Sequence, residues 1–187
     1  MSATRRAILL GLPPLIGGTA LGSQSASAAT RREIDRDADW ALRALYSSQP
    51  KASYLGKRAK AILIFPKIIK AGLIIGGQSG DGVLRIGGRS VGYYNISAAS
   101  FGLQAGAQSF GYAMFFMTDS SLQYLQKSDG WAIGSGPNVV VIDKGAAASV
   151  NTTTLTQDVY AMPFGQRGLM AGLGLEGSKI THINPKA

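Results

Sequence analysis

Ala61-Ile62-Leu63-Ile64-Phe65-Pro66-Lys67-Ile68-Ile69-Lys70-Ala71-Gly72-Leu73-Ile74-Ile75-Gly76-Gly77 is the stretch on which the fold turns. Ala61 to Phe65 is a continuous apolar run of strand length, and Pro66, which has no N–H to give to a ladder, is expected to stop it. Ala71 to Gly77 forms a second piece. Ser79-Gly80-Asp81-Gly82 then reads as a hairpin turn, with Val83-Leu84-Arg85-Ile86 as the returning strand. Downstream, strand-like segments recur at Val91–Ile96, Ala99–Gln108, Tyr112–Met117, Val139–Asp143, Asp158–Pro163, Leu169–Leu175 and Ser178–Ile183. One short helix interrupts them, capped by Thr118-Asp119-Ser120-Ser121 and running through Gln126 to a stop near Asp129-Gly130.

The chain has 25 glycines, most of them inside these strand-like pieces. A glycine within a strand marks a bulge, a sharp bend or a close backbone approach. So many of them, interleaved with Ile, Leu, Phe, Tyr and Met, predict a strongly curved antiparallel sheet or a partly closed barrel rather than low-complexity disorder.

Upstream of the sheet, residues 31–46 read as an amphipathic helix. Ile34, Ala38, Ala41, Leu42 and Leu45 recur at helical spacing, and Arg31, Arg32, Glu33, Asp35, Arg36 and Asp39 take the other faces. Thr30 with Glu33 three residues on has the form of a capping box. Trp40 lies off the centre of the apolar stripe. Ser47-Ser48-Gln49-Pro50 ends the helix, and a second short one is expected from Pro50 to Arg58, with proline at its favourable first position. The predicted class is therefore α+β, with N-terminal helices packed on a curved, Gly-rich sheet.

The first 28 residues read as a leader. Thr4-Arg5-Arg6-Ala7-Ile8-Leu9-Leu10 has twin-arginine form, and Ala26-Ser27-Ala28 is a small-x-small cleavage site. An ordinary secretory signal that carries Arg-Arg is the alternative. Pro13-Pro14 and several glycines dilute the apolar run between them, which argues against a permanent membrane span. The expected organisation is a signal at 1–28 and a single domain at 29–187, delivered to the periplasm or secreted. No cysteine follows the cleavage site to carry a lipid.

The full chain has 19 Lys and Arg against 10 Asp and Glu, a net +9; removing Arg5 and Arg6 with the leader leaves +7. This favours anionic partners, and export makes a membrane surface the leading one and nucleic acid improbable. Cys is absent and His182 is the single histidine. Disulfides, thiol chemistry, a zinc site and a histidine-based triad thus lack their residues, and no cofactor or enzymatic activity is expected.

Several motifs match by form alone. Gly88-Arg89-Ser90-Val91-Gly92 fits the nucleophile elbow, yet strand is expected on both sides and His182 is far downstream. Gly172-Leu173-Gly174-Leu175-Glu176-Gly177 fits the dinucleotide fingerprint but lacks a following helix. Asp81, Asp119, Asp129, Asp143 and Asp158 lack the spacing of a calcium loop and read as turn formers and caps.

The basic cluster is the more informative signal. Lys51, Lys57, Arg58, Lys60, Lys67 and Lys70 fall within one stretch that holds no acidic residue, with Tyr54, Leu55 and Phe65 among them. Cations beside apolar and aromatic side chains suit an anionic bilayer surface, each Lys or Arg contributing about 1 kcal/mol there. Trp40 and Arg43 on the first helix are added as candidates for shallow insertion. A solvated face over an ordinary core is the plainer reading of the same residues.

Three blocks resemble the SYLF domain family of lipid-binding modules: Ala61 to Gly77 followed by Gly80-Asp81-Gly82-Val83-Leu84, then Ser100-Phe101-Gly102-Leu103-Gln104-Ala105-Gly106-Ala107, then Gln166 to Gly177. They span about residues 32–183. The resemblance implies a non-enzymatic phospholipid-binding module, with residues 31–46 and the basic cluster as its contact. Eukaryotic relatives are associated with phosphoinositides and some with actin. This chain departs by its export signal and by the lack of an SH3 or FYVE partner domain. Phosphatidylglycerol, cardiolipin or lipid A become the expected ligands. The principal alternative is an envelope scaffold that binds another protein through its sheet. A third is an apolar ligand enclosed in the partly closed barrel.

Overall fold

The structure is a computed structural model, and it describes residues 29–72, 75–101, 106–142, 156–168, 175 and 177–187. The expected leader, the strand expected at 169–175 apart from Leu175, and most of the fingerprint-like glycine segment lie outside these residues.

In chain order the elements are α1 (Arg31–Ser48), α2 (Pro50–Arg58), β1 (Ala61–Gly72), β2 (Ile75–Ile86), β3 (Arg89–Phe101), β4 (Gly106–Phe116), α3 (Asp119–Lys127), β5 (Trp131–Ala132), β6 (Val139–Val141), β7 (Val159–Gly168) and β8 (Lys179–Ile183). The strands form one sheet in the order β5-β8-β3-β2-β1-β4-β7-β6, curled strongly into a half-barrel with α1 and α2 packed on it. The expected α+β class with a partly closed barrel holds. The sheet is mixed rather than wholly antiparallel, because β6 runs parallel to β7. The long connection between Val141 and Val159 supplies the crossover that a parallel pair needs. Both edge strands are very short, which leaves little unpaired backbone for edge-to-edge association.

Two expectations about the central stretch are corrected. Pro66 does not end β1: the register shifts between Phe65 and Ile68 against β4, and between Ile64 and Ile69 against β2. The bulge absorbs the missing donor and lets Phe65 and Ile68 face the same side. Ser79-Gly80-Asp81-Gly82 is not a turn either. It lies inside β2, paired to Ile69 at Ser79 and to Tyr94 at Gly82. A Cβ on Gly80 would stand 2.5 Å from the Lys67 carbonyl oxygen, and one on Gly82 would stand 2.4 Å from that of Ile64 and 2.5 Å from the Phe65 ring. The glycines make room for side chains thrown inward by the bulge. The β2–β3 turn is instead Gly87-Gly88, with φ of 57° and 80°, the signs that a two-residue hairpin turn demands.

The inner face carries the larger core. Leu63, Phe65, Leu84, Ile96, Phe110, Tyr112, Met114 and Phe116 join Trp131 of β5 and Val159 of β7 in one buried cluster. Strands near opposite ends of the sheet order meet there because the sheet curls around it. Leu122 and Leu125 of α3, capped by Thr118 as expected, close over the same cluster. These side chains form the core of the described inner face.

On the outer face, Ile34 and Ala38 of α1 pack on Ile64 and Val83, and Leu45 joins Leu55 of α2 on Phe115, Tyr160 and Met162. The capping box at Thr30 and Glu33 is present. Polar bonds hold the helix as well. Asp35 accepts from Ser90 Oγ at 2.7 Å and from the Tyr93 hydroxyl at 2.9 Å, while Arg85 donates to the Asp39 carboxylate and to the Asp35 carbonyl. Ser90, the serine of the elbow-like motif, is thus a docking group on a strand. His182 instead packs edge-on against Tyr94, its partner across β3 and β8. Among the described residues no helix is long and apolar enough to cross a membrane.

Candidate functional site

With the apolar stripe of α1 spent on the sheet, its opposite face is left to solvent. Trp40 is 67% exposed there, and the Arg43 guanidinium lies 5.1 Å from the centre of its ring. An exposed cation–π pair of this kind contributes about 0.5–1 kcal/mol and keeps the indole beside a positive charge. Tyr46, three residues further on, lies against Gly56 of α2, where an added Cβ would fall 2.2 Å from its hydroxyl. Lys57 and Arg58 follow directly and are exposed. Arg58 stacks on Tyr54 at 3.7 Å. The helical pair thus presents Trp40, Arg43, Lys57 and Arg58 on neighbouring turns, and none of these cations forms an ion pair with a described residue.

The fold divides the rest of the linear basic cluster. Lys51 is half-buried on α2 and has an interaction of its own. Lys60 ends the helical region and pairs with Asp119 at 3.5 Å, so part of its charge is met within the chain. Lys67 and Lys70 lie towards the far end of β1, and ten residues of strand separate Lys60 from Lys70 by roughly 30 Å. One uninterrupted basic patch is therefore not what the strand geometry produces.

Lys67 is exposed at the bulge and lines an open cleft of about 350 Å³ together with Ser109 of β4 and Arg167 of β7. Sequence reading missed Arg167. Only the β4–β7 pairing, which sets Arg167 opposite Ser109, brings it towards Lys67. Ile69 and Ile75, 51% and 69% exposed, add apolar surface to this end of the sheet.

Lys70 belongs to the other face. It is half-buried and pairs with Gln78 on β2 and Gln108 on β4, and directly opposite residues project to one side of a sheet. Gln108 alternates with Phe110, Tyr112 and Met114, which fixes that side as the inner one. The row Gln78–Lys70–Gln108 thus crosses three strands inside the half-barrel. Gln78 is buried and donates to Ser178 Oγ at 3.0 Å. Gln108 is 2% exposed, and neither its amide oxygen nor its amide nitrogen has a hydrogen-bond partner. A buried polar group left unmet costs about 1–3 kcal/mol, so this amide is an unusual occupant for a core position. A glutamine in an apolar alternation was the one sequence signal for it.

Nearby, the Tyr112 hydroxyl is also buried without a partner, and burial pushes its phenol well above the ordinary range. The aspartates have local duties. Asp81 accepts from Asn95 at 2.7 Å within the sheet, and Asp158 accepts from Thr118 at 3.1 Å beside the α3 cap. Asp81 is therefore a strand residue rather than a turn former.

Fold and surface together present a small α+β module whose distinctive side chains are exposed cations, an exposed indole and a buried polar row. Residues 97–185, from β3 to β8, match the family described as Ysc84, Las17-binding protein actin regulator. The match is consistent with a SYLF-domain family member, and this family is one of binding modules. It covers Gln108 and Arg167, and does not extend to α1, α2 or β1. A comparison with curated proteins gave no match.

Proposed function

We propose that this chain is an exported, single-domain module, residues 29–187, that binds anionic phospholipid at a membrane surface in the periplasm without catalysing a reaction. The observation that carries the reading is the Trp40–Arg43 pair, an exposed indole stacked by a cation on a helix whose apolar face is already buried. Cations draw the module to the anionic surface, and the indole enters the headgroup layer, where an apolar ring with a polar edge is stable. Lys57 and Arg58 extend the positive field on α2. Lys67 with Arg167 offers a second cationic point on the sheet.

Co-sedimentation with vesicles tests this. The full chain is expected to pellet with phosphatidylglycerol vesicles and not with phosphatidylcholine vesicles, and to be released by high salt. Reversing Lys57 and Arg58 to Glu, at exposed positions that leave the core untouched, is expected to lower the affinity by about a hundredfold. Equal binding to both vesicle types, or undiminished binding by the double variant, would overturn the assignment.

A module that docks another protein is the second reading. The family description favours it, and edge strand β6 exposes Val140 and Val141. It predicts a stable protein complex whose formation is indifferent to lipid charge.

A further inference from the structure

We infer that the open cleft between Lys67 and Arg167, on the outer face of the sheet, is a binding site for a phosphate monoester. As a lipid site it rests on the membrane reading above, and it names the headgroup class that reading leaves open.

Two bulges at one level of β4 make the cleft. On one side, β1 takes three steps from Phe65 to Ile68 while β4 takes two from Tyr112 to Phe110. On the other, β7 takes three steps from Phe164 to Arg167 while β4 takes two from Gly111 to Ser109. Gly165, with φ of 62°, supplies the left-handed residue at the second bulge. A bulged strand bends locally, so β4 is flanked at one height by two bent neighbours. The space between them measures about 350 Å³ and is lined by Pro66 and Lys67, Ser109 and Gly111, and Gly165 and Arg167. Ser109 and Gly111 alternate with the inward Phe110 and Tyr112, which puts the cleft on the outer face.

Its chemistry is one-sided. No acidic side chain lines it. Lys67 and Arg167 are exposed, and neither forms an ion pair with a described residue. Asp81, on β2 level with the β1 bulge, accepts from Asn95 at 2.7 Å and lies beyond ion-pair distance of Lys67. Two cations on one cleft call for an anion with more than one negative charge. A phosphate monoester carries about −1.5 to −2 near pH 7, whereas a phosphodiester carries a single charge. Arg167 supplies a planar fork for two oxygens of one phosphate, Lys67 a point charge, and Ser109 of the intervening strand a hydroxyl to donate. The volume is at the small end of ligand pockets, about 300–1,000 Å³, and leaves room for the group that the phosphate esterifies.

Ile69, directly opposite Ser109 and 51% exposed, gives the rim an apolar side. Gln49, at the junction of α1 and α2, donates to the Pro163 carbonyl at 3.4 Å, which sets the helical pair beside this part of β7. The headgroup of a phosphatidic acid and a free phosphate monoester both carry the required chemistry.

Titration calorimetry of the full chain with sn-glycerol 3-phosphate and with dimethyl phosphate tests the site. Saturable one-to-one binding of glycerol 3-phosphate is expected, with the diester at least about tenfold weaker. Lys67→Gln and Arg167→Gln are each expected to lower the affinity by about tenfold. Both positions are exposed, so thermal melting of the two variants is expected to match the natural chain. Phosphatidylcholine vesicles doped with phosphatidic acid or phosphatidylglycerol, matched in surface potential, separate the two sources. A preference for phosphatidic acid that disappears in Arg167→Gln identifies the lipid headgroup. Saturable binding of the soluble ester without that preference identifies a free phosphate monoester.

The site is overturned if glycerol 3-phosphate does not saturate and phosphatidic acid is not preferred. It is overturned equally if dimethyl phosphate binds as tightly, or if both variants bind as the natural chain does. Salt-sensitive vesicle binding lost by the Lys57 and Arg58 reversal would then stand by itself. Saturable binding of glycerol 3-phosphate with no binding to any vesicle would leave this site standing and remove the membrane reading.

Discussion

The Tyr93 hydroxyl on β3 donates a 2.9 Å hydrogen bond to the Asp35 carboxylate on α1, fifty-eight positions away in the chain. With the Arg85 contacts to Asp39 and to the Asp35 carbonyl, it makes α1 a fixed part of the domain. A helix held in this way offers its outer face to a membrane and keeps its apolar stripe on the sheet.

Tyr93→Phe is expected to lower stability by about 1 kcal/mol, read as a shifted urea midpoint, since one partly exposed hydrogen bond to a charge is lost. Vesicle affinity is expected to stay as it was. Tighter binding by this loosened variant would mean that α1 lifts off the sheet to bind.

Tyr112→Phe is expected to raise stability by about 1 kcal/mol, because it removes a buried hydroxyl that no group satisfies. The pH dependence follows from the same burial. Tyr112 is raised by desolvation, as are Tyr46 and Tyr94, and Tyr93 is raised by desolvation and then by its bond to Asp35. Each folded-state value lies above the unfolded one, so the stabilisation is complete below about pH 10 and declines as pH rises beyond it. Alkaline denaturation curves would check this, with Tyr112→Phe showing the shallower decline. A decline as steep as the natural chain's would remove Tyr112 from the explanation.

Gly82→Ala is expected to destabilise the domain by about 1–3 kcal/mol. The new methyl would meet the Ile64 carbonyl oxygen and the Phe65 ring, and backbone on that side is braced by the bulge. Gly87→Asn, at an open position with φ of 57°, is expected to be far milder. Equal melting temperatures for Gly82→Ala and the natural chain would show that the strands there shift freely.

Trp40 and Trp131 report separately on binding. Trp131 is fully buried and donates to the Ser135 carbonyl at 2.8 Å, whereas Trp40 stands in solvent. Anionic vesicles are expected to shift the chain's emission to the blue and make it accessible to a lipid-borne quencher. Trp40→Phe is expected to lose both responses. Persistence of the shift in that variant would show that the indole stays out of the headgroup layer.

Much of the frame was legible residue by residue. The periodicity of Ile34, Ala38 and Leu45, the Thr30–Glu33 box, Pro50 at a helix start and Thr118 at another are local signals, and each marks the element it should. The central strands were legible as apolar runs, but their limits were not. Pro66 and the Gly80–Gly82 pair are ordinarily punctuation, and here a bulge on one strand accommodates the proline while glycines on the next accept the displaced side chains. That compensation lies between strands and leaves no trace in either one alone.

The candidate site divides in the same way. Composition and order along the chain determined that this is a basic, glycine-rich chain of α+β type without cysteine, with cations crowded between Lys51 and Lys70 and an indole off the helix stripe, because charge and local periodicity are written residue by residue. Tertiary structure alone decided which of those cations stand together. Strand pairing carries Lys60 to Asp119, sets Lys67 near Arg167, and turns Lys70 inward between Gln78 and Gln108, because a neighbour across a sheet is chosen by register and curvature, and neither is a property of any single stretch of sequence.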